Sequence, residues 1–532
     1  MKEFTRRSFI GTSLCSLPVV LLAGNRILDT HLTKIVGETI YGKVQGYEFN
    51  GVNIFRGIPY GESTEGQYRF LPPLKPKKWV GILDSTKNEP RCYQDGDAIF
   101  YGDWLGPYFA GGRADRKELS KQEDSENCLT VNVTTTSLTG NRPVMVYIHG
   151  GGFSTGSGML AVFADKHVRE QDVVVVGITH RLNIFGYIYL GGLSEKYAVG
   201  NPGQLDLIAA LEWVRDNIEN FGGDPNNVMI FGESGGGAKI STLLAMPAAK
   251  GLFHKASIQS GSMFKVTDAK KATQSAKGIM EKLGISKVED LLKIPASELL
   301  KAGSRGLMGY TPVIDGQTLF RHPWDPDAPE MSASIPLMIG NDKDESTLFA
   351  AMGNENDIYN LTDAGLRSEL LKKGIPENRI DEVIALYKSN HPAENPSDLY
   401  FRISTDRGAR FNTTRHAELQ LTRGKADVFV WYFQWNTPYL ESKMRAFHTA
   451  DLPLSMRLTL YQESENLSKQ LSAAWASFAR NSNPSTKEHP WPSYTTNKRT
   501  TMVFDVNGSK AIDDPDKEER IIIKSMPSGS IL

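Results

Sequence analysis

The sequence predicts an α/β fold in which helices cover both faces of a mostly parallel, twisted sheet. Two apolar runs, PVMVYI at 143–148 and DVVVVGI at 172–178, lack the alternation of a half-exposed strand. Such runs are typical of strands buried on both faces of a parallel sheet. A helix-like stretch at 204–219 follows them, and a third apolar run, NVMIF, comes at 227–231. This succession of strand, helix and strand favours a doubly wound sheet.

The flanking elements extend this pattern in chain order. Short β-like pieces separated by Gly and Pro at 33–80 predict an antiparallel start to the sheet. The stretch 204–219 carries apolar residues at helical spacing, and the pair Gly222-Gly223 that follows it predicts the end of the helix. The segment GGAKISTLLAMPA at 236–248 is also helix-like, so a second helix is predicted directly after the third strand.

Two more strands are predicted downstream, IPLMIG at 335–340 and ADVFVWYFQW at 426–435. Blocks rich in helix-forming residues at about 265–310 and 346–425 are interpreted as insertions that form a cap over one end of the sheet. The tail beyond Lys510 is interpreted as a last strand or helix.

The composition indicates a globular chain without a nucleic-acid partner. The protein has 532 residues, of which 40% are hydrophobic and 23% charged, and its formal net charge is -1. These values exclude a disordered or fibrous chain, and the balanced charge does not favour a polyanionic partner. We expect one domain over residues 31–532.

Residues 1–30 are interpreted as an export signal that is removed. A short cationic segment precedes an apolar stretch too short to span a bilayer comfortably. Arg6-Arg7-Ser8-Phe9-Ile10 is similar to a twin-arginine signal, which predicts a bacterial protein exported to the periplasm or beyond. An anchor helix or an ordinary secretory signal is the alternative. No later run is long and apolar enough to suggest a membrane span.

Removal of that segment, with Cys15, leaves Cys92 and Cys128. An even pair in an exported protein predicts one disulfide. It would close a loop that contains Phe100, Tyr101, Trp104, Tyr108 and Phe109. These aromatic residues are interpreted either as a rim for an apolar substrate or as packing of the loop onto the body. Two cysteines are too few to indicate a metal site, and no cofactor is predicted.

Two Gly-x-Ser-x-Gly motifs offer a candidate nucleophile, Ser154 and Ser234. Only Ser234 follows a strand-like run and opens a helix, which is the setting of a nucleophile elbow. Flanking glycines permit the strained turn, and the helix start directs free N–H groups at the reacting centre. Ser154 instead follows the run His149-Gly150-Gly151-Gly152. Three glycines directly after a strand predict backbone donors for an oxyanion.

A serine nucleophile needs a base and an orienting acid. In the predicted fold both come from loops after later strands, in the order Ser, Asp or Glu, His. His448 follows the strand-like aromatic run that ends at Trp435, whereas His416 lies upstream in a helix-like stretch and is interpreted as a packed or surface residue. For the acid, spacing leaves three candidates open: Asp342, Asp344 and Glu345.

At these motifs the sequence resembles the type-B carboxylesterases, the cholinesterase-like branch of the α/β-hydrolases. The matching stretches keep the family's order: FRGIPYG, SENCLTVNV, IHGGGFSTGS, GNPGQLDLIAALEWVRDNIENFGGDPNNVMIFGESGGG, TPVIDG, NDKDE and FHTADLP. The resemblance implies an α/β-hydrolase fold and a serine esterase that acts on a small-molecule ester. It implies that Ser234 is the nucleophile, Glu345 the acid and His448 the base.

The resemblance also implies backbone roles and a covalent link. The oxyanion donors would be the N–H groups of Gly151, Gly152 and Gly235. Cys92 and Cys128 would form the family's first disulfide.

The sequence departs from the family pattern at four positions. Gly235 stands where alanine is common, which predicts a looser elbow or a roomier acyl side. Thr449 replaces the glycine that usually follows the base, Asp451 replaces a glutamate, and Asn127 replaces the aspartate before Cys128. Two other functions are weighed against the esterase: an amide or peptide hydrolase with the same triad, and a non-catalytic adhesion or scaffold relative. The ester and the oligomeric state stay open.

Overall fold

The structure is a computed structural model that describes residues 32–95, 104–307, 309–353 and 355–526. The predicted export signal and its twin-arginine motif therefore lie outside the described residues. Phe100 and Tyr101 of the aromatic loop lie outside them as well.

One large sheet organises the described residues. Its parallel part runs in the spatial order β7, β6, β8, β9, β12, β13, β14, and antiparallel strands flank it on both sides. Strands β1, β2, β3 and β5 form the antiparallel start, β4 pairs with β2, and β15 closes the other edge. The strands of this sheet are β1 Lys34–Thr39, β2 Gly42–Phe49, β3 Val52–Pro59, β4 Ile82–Asp84, β5 Thr130–Thr135, β6 Arg142–Ile148, β7 Val174–Thr179, β8 Gly223–Glu233, β9 Lys255–Gln259, β12 Leu337–Asp342, β13 Val428–Phe433, β14 Thr500–Phe504 and β15 Lys510–Asp513. Two short strands, β10 Thr267–Asp268 and β11 Val313–Ile314, pair with each other outside it.

Helices lie between and after these strands. They are α1 Gly106–Phe109, α2 Arg116–Leu119, α3 Leu160–Phe163, α4 Asp165–Gln171, α5 Asn183–Tyr187, α6 Pro202–Asn217, α7 Gly235–Leu243, α8 Ala269–Lys282, α9 Ala296–Gly303, α10 Ser346–Met352, α11 Asp363–Lys372, α12 Ile380–Asn390, α13 Pro396–Thr405, α14 Phe411–Leu421, α15 Asp451–Ser455, α16 Glu465–Asn481 and α17 Lys517–Lys524. In the described part of the chain, no helix combines the length and the apolar character needed to cross a bilayer.

The central strands are buried on both faces, as their continuous apolar runs predict. Along β8, Val228 and Ile230 pack into one hydrophobic layer, and Met229 and Phe231 pack into the layer on the opposite face. Alternate residues of a strand point to opposite faces, so an unbroken apolar run supplies both layers at once. The prediction of a parallel sheet covered by helices is confirmed.

The two helix-rich blocks fall at the carboxyl ends of sheet strands. Helices α8 and α9 follow β9, and helices α10 to α14 lie between β12 and β13. Helices α11 to α13 share a third hydrophobic cluster with the last helix, α17. Because ligands of parallel α/β sheets bind beyond the carboxyl ends of the strands, this edge of the sheet is where a site is expected.

Candidate active site

Ser234 occupies a sharp turn between β8 and α7. Its backbone has φ 56° and ψ -123°, a conformation that non-glycine residues rarely adopt and that stores strain. The turn is held by the Ser234 N–H, which donates to the carbonyl of Gln259 at 2.8 Å. Glycines are required beside it, since a Cβ on Gly232 or Gly236 would overlap the carbonyl oxygen of Ile148. The local geometry is therefore that of the predicted elbow.

His448 and Glu345 are hydrogen-bonded to one another in a buried position. Glu345 lies three residues after the end of β12, and its Oε2 accepts a hydrogen bond from Nδ1 of His448. Its other oxygen accepts from the hydroxyl of Ser260 at 2.6 Å and from the N–H of Asp342 at 2.9 Å. Three donors thus hold one carboxylate in a single orientation. Of the three acids that spacing left open, Glu345 is the one that meets the imidazole.

The other two acids have different partners. Asp344 lies 3.1 Å from the ammonium of Lys343, and Asp342 accepts from the N–H of Ala450 at 3.2 Å.

The second imidazole nitrogen of His448 faces Glu233, the residue directly before Ser234. Nε2 lies 3.1 Å from Oε1 of Glu233 and has no hydrogen-bond partner among the described residues. The hydrogen bond from the Ser234 hydroxyl to Nε2 is thus not formed. Catalytic hydrogen bonds are often unformed in an enzyme without substrate, and the neighbouring position of Glu233 shows that the ring reaches the elbow.

The glycine run after β6 lies against the start of α7. Gly151 and Gly152 have φ values of +79° and +60°, which favour glycine. Their N–H groups have no hydrogen-bond acceptor in the described part of the chain. The Gly235 N–H, at the first position of α7, has no acceptor within the helix ladder either. Three backbone donors in one corner can therefore hold an oxyanion.

Gly235 does not create the extra space that the sequence predicts. A Cβ at this position would overlap the carbonyl group of Gly152. The backbone of the glycine run thus fills the volume that a methyl group would take, and the expectation of a looser elbow or a roomier acyl side is wrong. The physical reason is close backbone approach, which glycine alone permits.

Four carboxyl groups are buried around the imidazole. Burial raises the pKa of Glu233 and of Asp342 well above their usual values. Burial likewise raises the pKa of Asp451 to about 7, although its hydrogen bond from Gln259 opposes the shift. For His448, burial lowers the pKa, but the charges of Glu233 and Glu345 outweigh it and raise the pKa to about 9. The charges of Glu233 and Glu345 thus favour the protonated imidazole, while burial disfavours ionisation of the acids around it.

Lys239 is the one buried cation on α7. Its ammonium donates to the carbonyl of His149 at 2.9 Å and lies 5.6 Å from the ring centroid of Phe153. Burial lowers its pKa to about 7, while the charge of Glu233 opposes that shift. Glu233 lies inside the Gly-x-Ser-x-Gly motif and Lys239 lies three residues after it, yet the chemistry of neither was predicted.

Ser260 and Gln259 are two further residues that the motifs do not reveal. Both lie at the carboxyl end of β9, where one orients Glu345 and the other binds Asp451. The strand order alone would have pointed to them, because β9 is paired between β8 and β12.

Other candidates from the sequence lie apart from this chemistry. The Ser154 hydroxyl donates to the carbonyl of Gly306 at 2.9 Å. His416 is fully buried beside Trp324, with ring centroids 3.9 Å apart, so it is a packed residue. Tyr108 is buried and donates to the carbonyl of Ala450 at 2.9 Å, which anchors the loop that carries His448.

Phe109 is buried as well, whereas Trp104 is partly exposed. The described part of the aromatic loop therefore packs largely onto the body.

Thr449 adopts a backbone conformation that suits the glycine it replaces. Its φ is +82°, its side chain is fully buried, and its hydroxyl has no partner among the described residues. For a β-branched residue this conformation costs of order 1–3 kcal/mol. The strain adjoins His448 directly.

Cys92 and Cys128 are both buried, and they are not linked in the structure. A hydrogen bond between the two side chains raises the pKa of Cys128, and burial adds to the rise. The disulfide between them stays a prediction.

One group of potential metal ligands occurs in the described residues, His391, Asp516 and Glu519. Its members already have protein partners: His391 lies 2.6 Å from Glu519, and Arg410 lies 2.8 Å from Asp516. The group joins the ends of α12 and α17 and supplies no residue to the site at Ser234.

Comparison with known proteins gives a consistent result. Residues 27–521 match the model of the Carboxylesterase family. A para-nitrobenzyl esterase of Bacillus subtilis is 35% identical over 512 residues, which cover 92% of this chain and 98% of the relative. Carboxylesterase 1F of Mus musculus is 31% identical, over 90% of this chain and 91% of the relative.

Solved structures agree with this match. A carboxylesterase of Geobacillus stearothermophilus superposes with a TM-score of 0.77 at 34% identity, over 92% of this chain and 99% of that chain. An esterase of Clostridium hathewayi, described as able to hydrolyse aliphatic aromatic polyesters, gives a TM-score of 0.75 at 30% identity, over 92% of this chain and 98% of that one. The α/β-hydrolase fold is thereby confirmed.

The electrostatics around His448 predict the direction of a pH effect. A base must be neutral to accept a proton, so kcat/KM on an uncharged ester should rise as pH increases through the pKa of His448, at about 9. Glu233→Gln removes the carboxylate beside Nε2, which lowers that pKa and should move the acid limb down by about one pH unit or more. The measurement is the pH profile of kcat/KM for both proteins.

Glu298→Gln is the matched control for this prediction. It makes the same chemical change at an exposed position on α9 and should leave the profile in place. An unshifted acid limb in Glu233→Gln would contradict the assignment of Glu233 as the charge that governs His448.

The contact between Gly235 and Gly152 predicts the effect of the smallest side chain. Gly235→Ala should displace the glycine run and lower kcat by about tenfold to a hundredfold, because oxyanion donors are effective only at hydrogen-bond distance. Steady-state kinetics on an aryl ester measure this. Gly278→Ala serves as the control, since a Cβ there meets no atom within 4 Å. A Gly235→Ala enzyme with the parent kcat would refute the packing argument.

Proposed function

This chain belongs to the carboxylesterase family and hydrolyses carboxylic esters as a serine hydrolase, and from that premise we propose that Ser234, His448 and Glu345 carry out the reaction. The observation that supports this assignment most strongly is the buried hydrogen bond between His448 and Glu345 beside the strained turn at Ser234. The substrates are small esters.

In the first half-reaction, His448 removes the proton from the Ser234 hydroxyl as the oxygen attacks the ester carbonyl. The carbonyl π bond opens and its electron pair moves to the oxygen, which gives a tetrahedral oxyanion. The protonated His448 then donates its proton to the alcohol oxygen as that bond breaks. An acyl-enzyme and a free alcohol result.

In the second half-reaction, water takes the place of the serine hydroxyl. His448 accepts a proton from water, the resulting hydroxide attacks the acyl carbon, and collapse of the second tetrahedral species returns the proton to Ser234. The carboxylic acid leaves. Glu345 holds Nδ1 in its protonated form throughout, so that Nε2 stays the nitrogen that exchanges protons.

The oxyanion is assigned to the N–H groups of Gly151, Gly152 and Gly235. Loss of one such donor typically costs about 3 kcal/mol of transition-state stabilisation. Glu233 also has a role in this scheme, because its charge stabilises the imidazolium that forms in each half-reaction. The same charge raises the pKa of the resting imidazole and so opposes the loss of its proton.

Replacement of the nucleophile tests the proposal. Ser234→Ala should lower kcat on a short aryl ester by at least about 10⁴-fold, since no other group can form the acyl-enzyme. The purified variant should keep its thermal unfolding temperature and lose covalent labelling by a fluorophosphonate. Ser154→Ala is the matched control, because this serine lies in the other Gly-x-Ser-x-Gly motif, and it should retain activity and labelling. If Ser234→Ala turned over the ester at the parent rate, the assignment would fail.

We further propose that the chain is exported and that Cys92 and Cys128 form a disulfide after export. The basis is the cationic and apolar pattern of residues 1–30, together with two buried thiols that interact strongly enough to raise the pKa of Cys128. A bond that closes this loop would stabilise the folded protein by about 4 kcal/mol in the chain-entropy model.

Alkylation of the denatured protein tests both parts of this proposal. The chain has three cysteines, and Cys15 belongs to the segment that export would remove. Protein collected from outside the cytoplasm should therefore show no alkylated cysteine before reduction and two after it, by intact mass. Alkylation of Cys92 and Cys128 without reductant would refute the disulfide, and an alkylated Cys15 would show that the segment is retained.

A further inference from the structure

Lys239 is a buried charge that the mechanism above does not use. Its side chain is 0% exposed, and the carbonyl oxygen of His149 is the only hydrogen-bond acceptor it meets among the described residues. Burial of an ammonium with one neutral acceptor is costly, so such a group is expected only where its charge or its donor has a function. The cost makes Lys239 a candidate for a specific role.

Lys239 binds at the start of the glycine run that follows β6. His149 directly follows β6 and precedes Gly150, Gly151 and Gly152, so its carbonyl lies immediately before the three glycines. On the helix side, a Cβ on Gly236 would overlap the backbone at Ile148 and His149. The first turn of α7 and the end of β6 are thus in direct contact, and Lys239 bridges them from within the helix.

The acidic partner of Lys239 packs against the same glycines. Glu233 is 0% exposed, neither of its carboxylate oxygens has a hydrogen-bond partner among the described residues, and Oε2 lies 2.9 Å from where a Cβ of Gly150 would be. Lys239 and Glu233 interact through their charges. An ionised carboxylate without hydrogen bonds needs such a compensating charge.

We propose that Lys239 is a positioning residue for the oxyanion site: its ammonium fixes the carbonyl of His149 and balances the charge of Glu233, so that the glycine donors are in place before substrate binds. This proposal rests on the assignment of Ser234 and its oxyanion glycines. It identifies a residue, besides the three catalytic side chains, on which the rate of the reaction depends. Preorganised donors stabilise the transition state more than the ground state. Loss of Lys239 is therefore expected to lower kcat and to leave KM little changed.

Lys239→Met tests the proposal, because methionine keeps the length of the side chain and removes both the charge and the donor. We expect kcat per active site to fall by about tenfold or more while KM changes by less than about threefold. The affinity for a trifluoromethyl ketone, which forms a tetrahedral adduct on the serine, should weaken by the same factor as kcat/KM. Fluorophosphonate titration supplies the concentration of active sites.

Two further variants separate positioning from simple stability. Lys255→Met makes the same change at a second buried lysine, which donates to the carbonyl of Ala479 at 2.7 Å and lies at the opposite end of the strands. It should lower the unfolding temperature without lowering kcat per titrated site. Lys239→Gln keeps a donor without the charge and should recover part of the loss if the bond to His149 is what matters.

A double-mutant cycle tests the charge balance. With Glu233→Gln already present, the uncompensated charge is gone, so Lys239→Met should cost less in kcat than it does in the parent. If the two substitutions lower kcat by independent factors that simply multiply, then Glu233 has no part in the proposal.

The decisive outcome is kcat per titrated site. A value for Lys239→Met within about twofold of the parent, in protein that the fluorophosphonate labels fully, would overturn the proposal and leave the assignment of Ser234 intact. Absence of labelling in the parent would instead refute the assignment of Ser234.

Discussion

The parallel alignment of β6, β8, β9 and β12 is the constraint on which the site depends. Because these strands run in one direction, their carboxyl ends meet at a single edge, and each delivers a different group there. The glycine run comes from β6, Ser234 from β8, Ser260 from β9 and Glu345 from β12. Ser260 and Glu345, which are 85 positions apart in the chain, can therefore lie within hydrogen-bond distance because both follow strands of this edge. The loop after β13 adds His448 to the same edge.

The charge distribution at this edge is unusual for a buried region. Four buried carboxyl groups, those of Glu233, Asp342, Glu345 and Asp451, cluster with one imidazole at this edge, and Lys239 on α7 interacts with the charge of Glu233. Such a pocket stabilises a positive imidazole and hence the charged species of an acyl transfer. The same field makes the resting base hard to deprotonate. Stabilisation of the intermediate and availability of the base are therefore opposed, and the balance depends on how many of the acids are ionised.

The sequence was sufficient for the sheet and insufficient for the details of the site. Continuous apolar runs identify β6, β7 and β8 because burial on both faces leaves no room for polar residues. Local patterns also single out Ser234, since an elbow is built from neighbours in the chain. The acid is different: spacing left three candidates, and only a family resemblance selected Glu345, because the choice depends on side-chain direction at the end of a strand. The contact of Glu233 with His448 and the bond from Lys239 to His149 depend on packing between distant segments, which no local pattern records.

The backbone contact between Gly152 and Gly235 has a consequence for how this enzyme can change. A Cβ on Gly152 would overlap the carbonyl of Leu307, and a Cβ on Gly235 would overlap Gly152 itself. Three chain segments are thus pressed together with no side chain between them. A variant that gains a methyl group at one of these positions needs a simultaneous shift of its neighbour. A single substitution is therefore expected to disrupt the site, whereas the same substitution combined with a compensating change in the neighbouring segment can be tolerated. Evolutionary change at this contact should then proceed by coupled substitutions, in which the segment around Leu307 changes together with the glycines it covers.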